Sequence, residues 1–266
     1  MDLELSGKTA IVTGGSRGIG KAIARELAAE GVDVAIVART AETLEQTAAE
    51  LAEATGRRIV PIVADTARDD SVKAMVEKAA AALGHLDILV NCAAQPGGQG
   101  KPPALGEITN EHFWADMNIK VMGYLRTSRE VAPHMIKAGS GRIIHVSGLA
   151  ARSTGTIIGS MRNVSVAALT KNMADELGPH GIAVVCVHPG LTRTEKTPGV
   201  IAAQAKAQGV SATEIEARMA SRNLARKIIT AEEVADVVTF LASPKAVAIN
   251  GDAIGAGGGV PGVIHY

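Results

Sequence analysis

With 266 residues, 47% of them hydrophobic and 20% charged, the chain is long enough for a full α/β domain with a large buried core and too apolar for a disordered one. Lysine plus arginine equal aspartate plus glutamate at 27 each, so no global field draws in nucleic acid or an anionic membrane; aromatics at 2% leave no stacking platform for single strands. Cys92 and Cys186 lie in or beside apolar runs and read as unpaired thiols, and the seven scattered histidines make no cluster of metal-ligand spacing, so no metal is expected.

The opening segment carries acidic residues and lacks a long apolar core, so it does not read as a signal peptide. No run of about 18 apolar residues exists to span a membrane, and a cytoplasmic protein is expected. From there, β-branched apolar runs alternate with amphipathic stretches. Strands are predicted at 9–13, 33–38, 58–63, 86–91, 142–147 and 183–188, with a weak last strand near 252–255. Helices are predicted at 18–30, 41–55, 69–83, 110–138, 159–177 and 231–241. Gly31, Gly56, Gly84, Gly139 and Gly178 read as helix stops, and Thr230 with Glu233 reads as a capping box. This alternation predicts a Rossmann-type, doubly wound parallel sheet in a three-layer αβα arrangement, as one domain over residues 1–266. Two irregular stretches leave strand ends, where open α/β sheets bind ligands. One is 95–106. The other, 191–224, has a weak helical pattern around 211–221 and is the candidate substrate lid.

The turn after the first strand reads Thr13-Gly14-Gly15-Ser16-Arg17-Gly18-Ile19-Gly20. A phosphate needs close backbone approach and unpaired N–H groups. Glycines between a strand and a helix N-terminus provide both. The second strand ends at Ala38-Arg39 with no carboxylate for a ribose 2′-hydroxyl, whereas Arg17 and Arg39 could pair a 2′-phosphate. NADP(H) is therefore expected over NAD(H).

The Thr13-Gly14-x-x-x-Gly18-x-Gly20 spacing resembles the cofactor motif of the short-chain dehydrogenase/reductase family, and the resemblance runs from Leu5 to about Gly259. It implies a cofactor site that includes Ser16, Ile19 and the segments that follow. Asp65 and Thr66 come after the third strand, with Asp65 at the adenine or, alternatively, as a helix N-cap. Asn91 and Ala93 sit in Asn-Cys-Ala-Ala, where the family reads Asn-Asn-Ala-Gly. Pro189, Gly190, Thr192 and Thr194 lie in the loop at the nicotinamide. The family's catalytic set is Asn, Ser, Tyr and Lys. Asn118 matches the first and Ser147 the second. Counting back from Leu169–Leu177 puts Gly159 at the tyrosine position and Asn163 at the lysine position, and no tyrosine lies between Tyr124 and Tyr266.

A proton for carbonyl reduction must then come by another path. His145, two residues before Ser147, is one candidate, with His188, Cys92 and water held by Asn118 and Ser147 behind it. Three readings stay open. One is an NADP(H)-dependent oxidoreductase for a small ketone or secondary alcohol. The second is a catalytically silent dinucleotide binder. The third is a non-redox enzyme reusing the pocket. The resemblance also implies a homo-oligomer, a tetramer formed through helices 110–138 and 159–177. Met122, Leu125, Val131 and Met135 are candidate apolar positions beyond one face.

Overall fold

The computed structural model describes residues 1–95 and 103–262. The chain runs β1 (Thr9–Thr13), α1 (Gly18–Ala29), β2 (Asp33–Ala38), α2 (Ala41–Thr55), β3 (Ile59–Val63), α3 (Asp69–Leu83), β4 (Ile88–Asn91), α4 (Asn110–Met117), α5 (Gly123–Ala138), β5 (Gly141–Val146), α6 (Ile157–Leu177) and β6 (Ile182–Pro189). It continues with β7 (Thr192–Arg193), α7 (Thr197–Gln208), α8 (Ala212–Ala220), β8 (Ile229–Thr230), α9 (Ala231–Ala242) and β9 (Ala253–Ala256). Seven strands form one parallel sheet in the order β3-β2-β1-β4-β5-β6-β9, while β7 and β8 pair separately.

The sheet is covered on both faces, which is why β1 and β6 are unbroken buried runs rather than alternating ones. On one side Ile23 and Leu27 of α1 and Val238 and Leu241 of α9 meet Val12, Ile36 and Val90. On the other, Met75 of α3, Met135 of α5 and Leu177 of α6 meet Ile11, Leu89 and Ile143. The predicted three-layer, doubly wound fold is therefore present. Strand order reverses at β1, between β2 and β4, and a cleft opens at the carboxyl ends there.

Four local expectations need correction. The stretch 110–138 is helical throughout, but a π-type turn at Asn118–Met122 interrupts the α-helical ladder between α4 and α5. Gly178 does not end its helix in the left-handed region. It keeps φ −54° and leads into a 3₁₀ turn, and Gly181, at φ 77°, makes the reversal. Val131 and Met135 are fully buried core, whereas Leu125 remains exposed and Met122 half-buried. The 191–224 stretch holds two helices rather than one, and α7 and α8 share a small core of Ile201, Ala205, Ile215 and Met219. The Thr230–Glu233 capping box is formed as expected. Most of the other irregular stretch, 96–102, and the C-terminal residues 263–266 lie outside the described residues.

Candidate active site

The cleft at the carboxyl ends of the strands has a volume of about 760 Å³. Its floor begins at the turn after β1. Gly14 and Gly18 take φ of 71° and 55°, and a Cβ on Gly20 would stand 2.2 Å from the Gly14 carbonyl oxygen, so the turn folds only with glycine there. The Gly14 and Gly15 amides donate to the Val37 carbonyl (2.8 and 3.2 Å), which fastens the turn to β2. Thr13 lies beneath the cleft rather than on its wall. Its hydroxyl oxygen accepts from the Cys92 and Ala93 amides (3.0 and 3.2 Å) and so ties the end of β1 to the segment after β4.

Arg17 and Arg39 both line the cleft, are exposed, and make no side-chain hydrogen bond or ion pair with any described residue. Two guanidinium groups left free on one wall are what a dianionic phosphate requires. The cradle thus fits a dinucleotide: glycines where a side chain would block it, a helix N-terminus, and unspent positive charge beyond the second strand. One carboxylate already uses part of this machinery. Glu195 Oε2 accepts from the Gly18 amide at 3.2 Å, reaching from the segment after β7 to the N-terminus of α1.

The other predicted cofactor residues divide between wall and support. Ser16, Ile19, Asp65, Thr66, Ala93, Pro189, Gly190, Thr192 and Thr194 line the cleft. Asp65 does not cap α3, whose N-cap is Arg68; its Oδ1 accepts from the Ala67 amide at 3.0 Å and shapes the turn after β3. Asn91 is fully buried. It accepts from Thr127 Oγ1 (2.5 Å) and donates to Ser128 Oγ (3.1 Å), holding β4 to α5.

Of the predicted catalytic residues, Ser147 and Asn163 meet on the cleft wall. Ser147 follows β5, and its hydroxyl stands 3.1 Å from both the backbone carbonyl and Oδ1 of Asn163, so its proton is committed to that residue. Gly159, one turn earlier on α6, is buried, and its amide donates to the N-cap hydroxyl of Thr156 (3.0 Å). Asn118 stands in the π-type turn with its amide donating to the Ala67 carbonyl (3.4 Å), away from Ser147. His145 is fully buried between α5 and α6. One ring nitrogen lies 3.0 Å from Thr170 Oγ1 and the other 3.4 Å from Ser128 Oγ, and desolvation holds the imidazole down at about 3. It does not reach the cleft. Cys92 does, with its thiol pushed up to about 11 by desolvation; Cys186 is buried beneath, and both are free thiols.

Sequence reasoning missed a neighbouring group. Lys120 projects from the π-type turn into the cleft wall, 3% exposed, and its ammonium donates to the Ser147 carbonyl (2.8 Å) and Asn163 Oδ1 (3.0 Å). Burial first, and the Arg162 charge second, lower it to about 7. The signal was available. Lys120, Tyr124, Thr127, Val131 and Met135 are spaced as one inward helical stripe, and a cation on such a stripe needs a partner inside. Beside it Arg162, also buried, is paired with Asp116 across α4 and α6.

The chain is similar to known proteins over nearly its whole length. A family profile described as short chain dehydrogenase matches residues 8–205. The short-chain reductase protein NovJ of Streptomyces niveus is 34% identical over 253 residues, covering 95% of this chain and 93% of that protein. The structure of L-sorbose reductase from Gluconobacter frateurii, complexed with NADPH and L-sorbose, superposes with a TM-score of 0.91 at 30% identity, covering 99% of this chain and 100% of the other. A short chain dehydrogenase from Burkholderia cenocepacia in complex with NADP gives a TM-score of 0.82 at 36% identity, covering 96% and 98%. With the family profile matching residues 8–205 and relatives of 30% identity or more covering nearly the whole length, the chain belongs to the short chain dehydrogenase family.

Proposed function

We propose that the chain is an NADP(H)-dependent oxidoreductase that interconverts a small ketone and a secondary alcohol, with an active site in which Gly159 and Asn163 stand where relatives carry tyrosine and lysine. The observation that carries this reading is that one cleft is lined by Arg17 and Arg39, unpaired among the described residues, by the glycine turn, and by Ser147 with Asn163. When bound there, a reduced nicotinamide dinucleotide supplies a hydride to a carbonyl carbon. The turn's amides and the α1 N-terminus hold its pyrophosphate, the two guanidinium groups hold the adenosine phosphate, and Thr192 and Thr194 flank the nicotinamide end. Ser147 and its neighbours orient the substrate oxygen. The sorbose reductase solved with NADPH and L-sorbose supports a small carbonyl compound as the substrate class.

The segment 191–224, with α7 and α8, serves as the lid. Its contact from Glu195 to the glycine turn supports that role. A homo-oligomer, expected as a tetramer, fits the apolar stripe left exposed on α6 at Ile157, Met161 and Val164. A cytoplasmic site of action fits the two free thiols.

Calorimetry with NADPH and NADH, followed by a panel of ketones monitored through absorbance of the reduced dinucleotide, tests the reading. NADPH is expected to bind more tightly. Arg39→Ala should weaken NADPH about ten- to a hundredfold and leave NADH nearly unchanged. Ser147→Ala should abolish most turnover. Equal affinity for the two dinucleotides would end the NADP(H) assignment. The alternative of a silent binder is favoured by Gly159, which brings no side chain to the tyrosine position; it predicts tight NADPH binding with no turnover on any carbonyl compound.

A further inference from the structure

We propose that Lys120 is the proton donor of this site, delivering the proton that the missing tyrosine would have supplied; the proposal rests on the oxidoreductase reading above. The donor inventory at this end of the cleft carries it. Ser147 has one proton, and its hydroxyl is committed to Asn163. The Asn163 amide can donate a hydrogen bond but not release a proton. Arg162 lines the same wall, yet a guanidinium does not deprotonate in a protein. The Lys120 ammonium has three N–H bonds, and the structure accounts for two, to the Ser147 carbonyl and Asn163 Oδ1. Among the described residues no acceptor takes the third, and Lys120 lines the cleft. Asn163, at the family's lysine position, thereby becomes the acceptor that aims an ammonium arriving from another helix.

The electrostatics point the same way. Four ionisable groups act on Lys120 from the elements around it: Arg162 on α6 lowers its proton affinity, while Cys92 after β4, Cys186 in β6 and Asp116 in α4 raise it. The aromatic ring of Tyr124 lies 6.0 Å from Nζ. Desolvation outweighs the three that raise it and leaves the amine poised near neutral pH, where a general acid transfers best. Cys92, which also lines the cleft, holds its proton far more tightly. In the reductive direction a Lys120 N–H bond breaks with its electron pair kept on nitrogen. The new O–H bond forms with the pair released from the carbonyl π bond as the hydride reaches carbon. The resulting neutral amine regains its proton from water.

The test combines turnover with readouts that do not depend on it. Lys120→Met should unfold cooperatively and bind NADPH within about threefold of wild type, yet lose turnover about 10²–10⁴-fold. Lys120→Arg keeps the charge and the donors but no releasable proton, and should lose as much. Rescue by arginine would mean a structural role and overturn the proposal. The wild-type rate should break near pH 7, and that break should vanish in the residual activity of Lys120→Met. In lysine-¹³C-labelled protein one ε-carbon resonance, absent from Lys120→Met, should titrate near pH 7. Unchanged turnover and pH profile in Lys120→Met, or a Lys120 resonance that stays protonated above pH 9, would overturn Lys120 alone. A wild type that binds NADPH but reduces no ketone would instead bring down the oxidoreductase reading, and the Lys120 role with it.

Discussion

At Gly159 and Asn163, the positions that the proposed reading assigns to the family's tyrosine and lysine, the packing opposes those two side chains. A Cβ at Gly159 would meet the Thr156 hydroxyl at 2.2 Å, so Gly159→Tyr must displace the cap of α6, at a cost of about 1 kcal/mol. A lysine at 163 would replace the acceptor of Lys120 with a second ammonium. The double variant Gly159→Tyr/Asn163→Lys is therefore expected to melt lower than wild type and to gain no turnover unless Lys120 is replaced as well; melting and ketone reduction measured together decide this. His145 contributes to stability in the opposite sense from catalysis. Its folded value, about 3, lies below the usual 6.5, so the unfolded chain binds a proton first as pH falls. Stability from this residue is complete above about pH 6.5 and is lost as pH drops toward 3. His145→Gln should flatten that part of a melting-temperature-against-pH curve. Lys120 is also depressed, from 10.5 to about 7, so wild-type stability should climb between those values, at most by about 1.4 kcal/mol per pH unit, and Lys120→Met should remove the climb.

Helix α1 and the segment after β7 meet where an anion belongs. A helix N-terminus presents unpaired amides and a positive dipole end, and Glu195 accepts from one of those amides, that of Gly18. A pyrophosphate must displace that carboxylate. Glu195→Gln should therefore tighten NADPH by about two- to fivefold at low salt, an effect that shrinks as ionic strength rises; titration calorimetry at two salt concentrations measures both. The α7–α8 excursion that carries Glu195 is anchored by its own small core and by the Arg193–Glu216 ion pair, so it can shift without disturbing the sheet. The α4–α5 helix behaves differently. Its interruption at Asn118–Met122 turns Asn118 toward the loop after β3 and leaves Lys120 facing α6.

Across the whole molecule, α6 is apolar on two sides. Val166, Ala174 and Leu177 face inward, while Ile157, Met161 and Val164, about half exposed, follow each other at four- and three-residue spacing on the outside. Trp114 of α4 and Leu125 of α5 are exposed as well. If that stripe is covered by a second copy, Met161→Glu/Val164→Glu should shift sedimentation toward monomer and leave the NADPH affinity of the separated chains nearly intact. A single unchanged species by analytical ultracentrifugation would place the interface elsewhere. Among the described residues no helix is long and apolar enough to cross a membrane, and no group of three or more metal-binding side chains occurs.

The order of strands and helices, the glycine turn and the lack of a tyrosine near residue 159 were legible from the chain alone, because periodicity, backbone permissiveness and residue identity are local properties. So was the capping box at Thr230. The positions of α7 and of the π-type turn were not, since both depend on packing against segments far away in sequence. The deepest difference lies at the site. Sequence spacing ties Ser147, Gly159 and Asn163 to one strand–helix unit, but Lys120 comes from the preceding helix. Only the stacking of α5 against α6 over β5 brings its ammonium within 3.0 Å of Asn163 Oδ1. A side chain's chemistry is written in its own residue; the burial and partners that decide its charge are assembled by the fold.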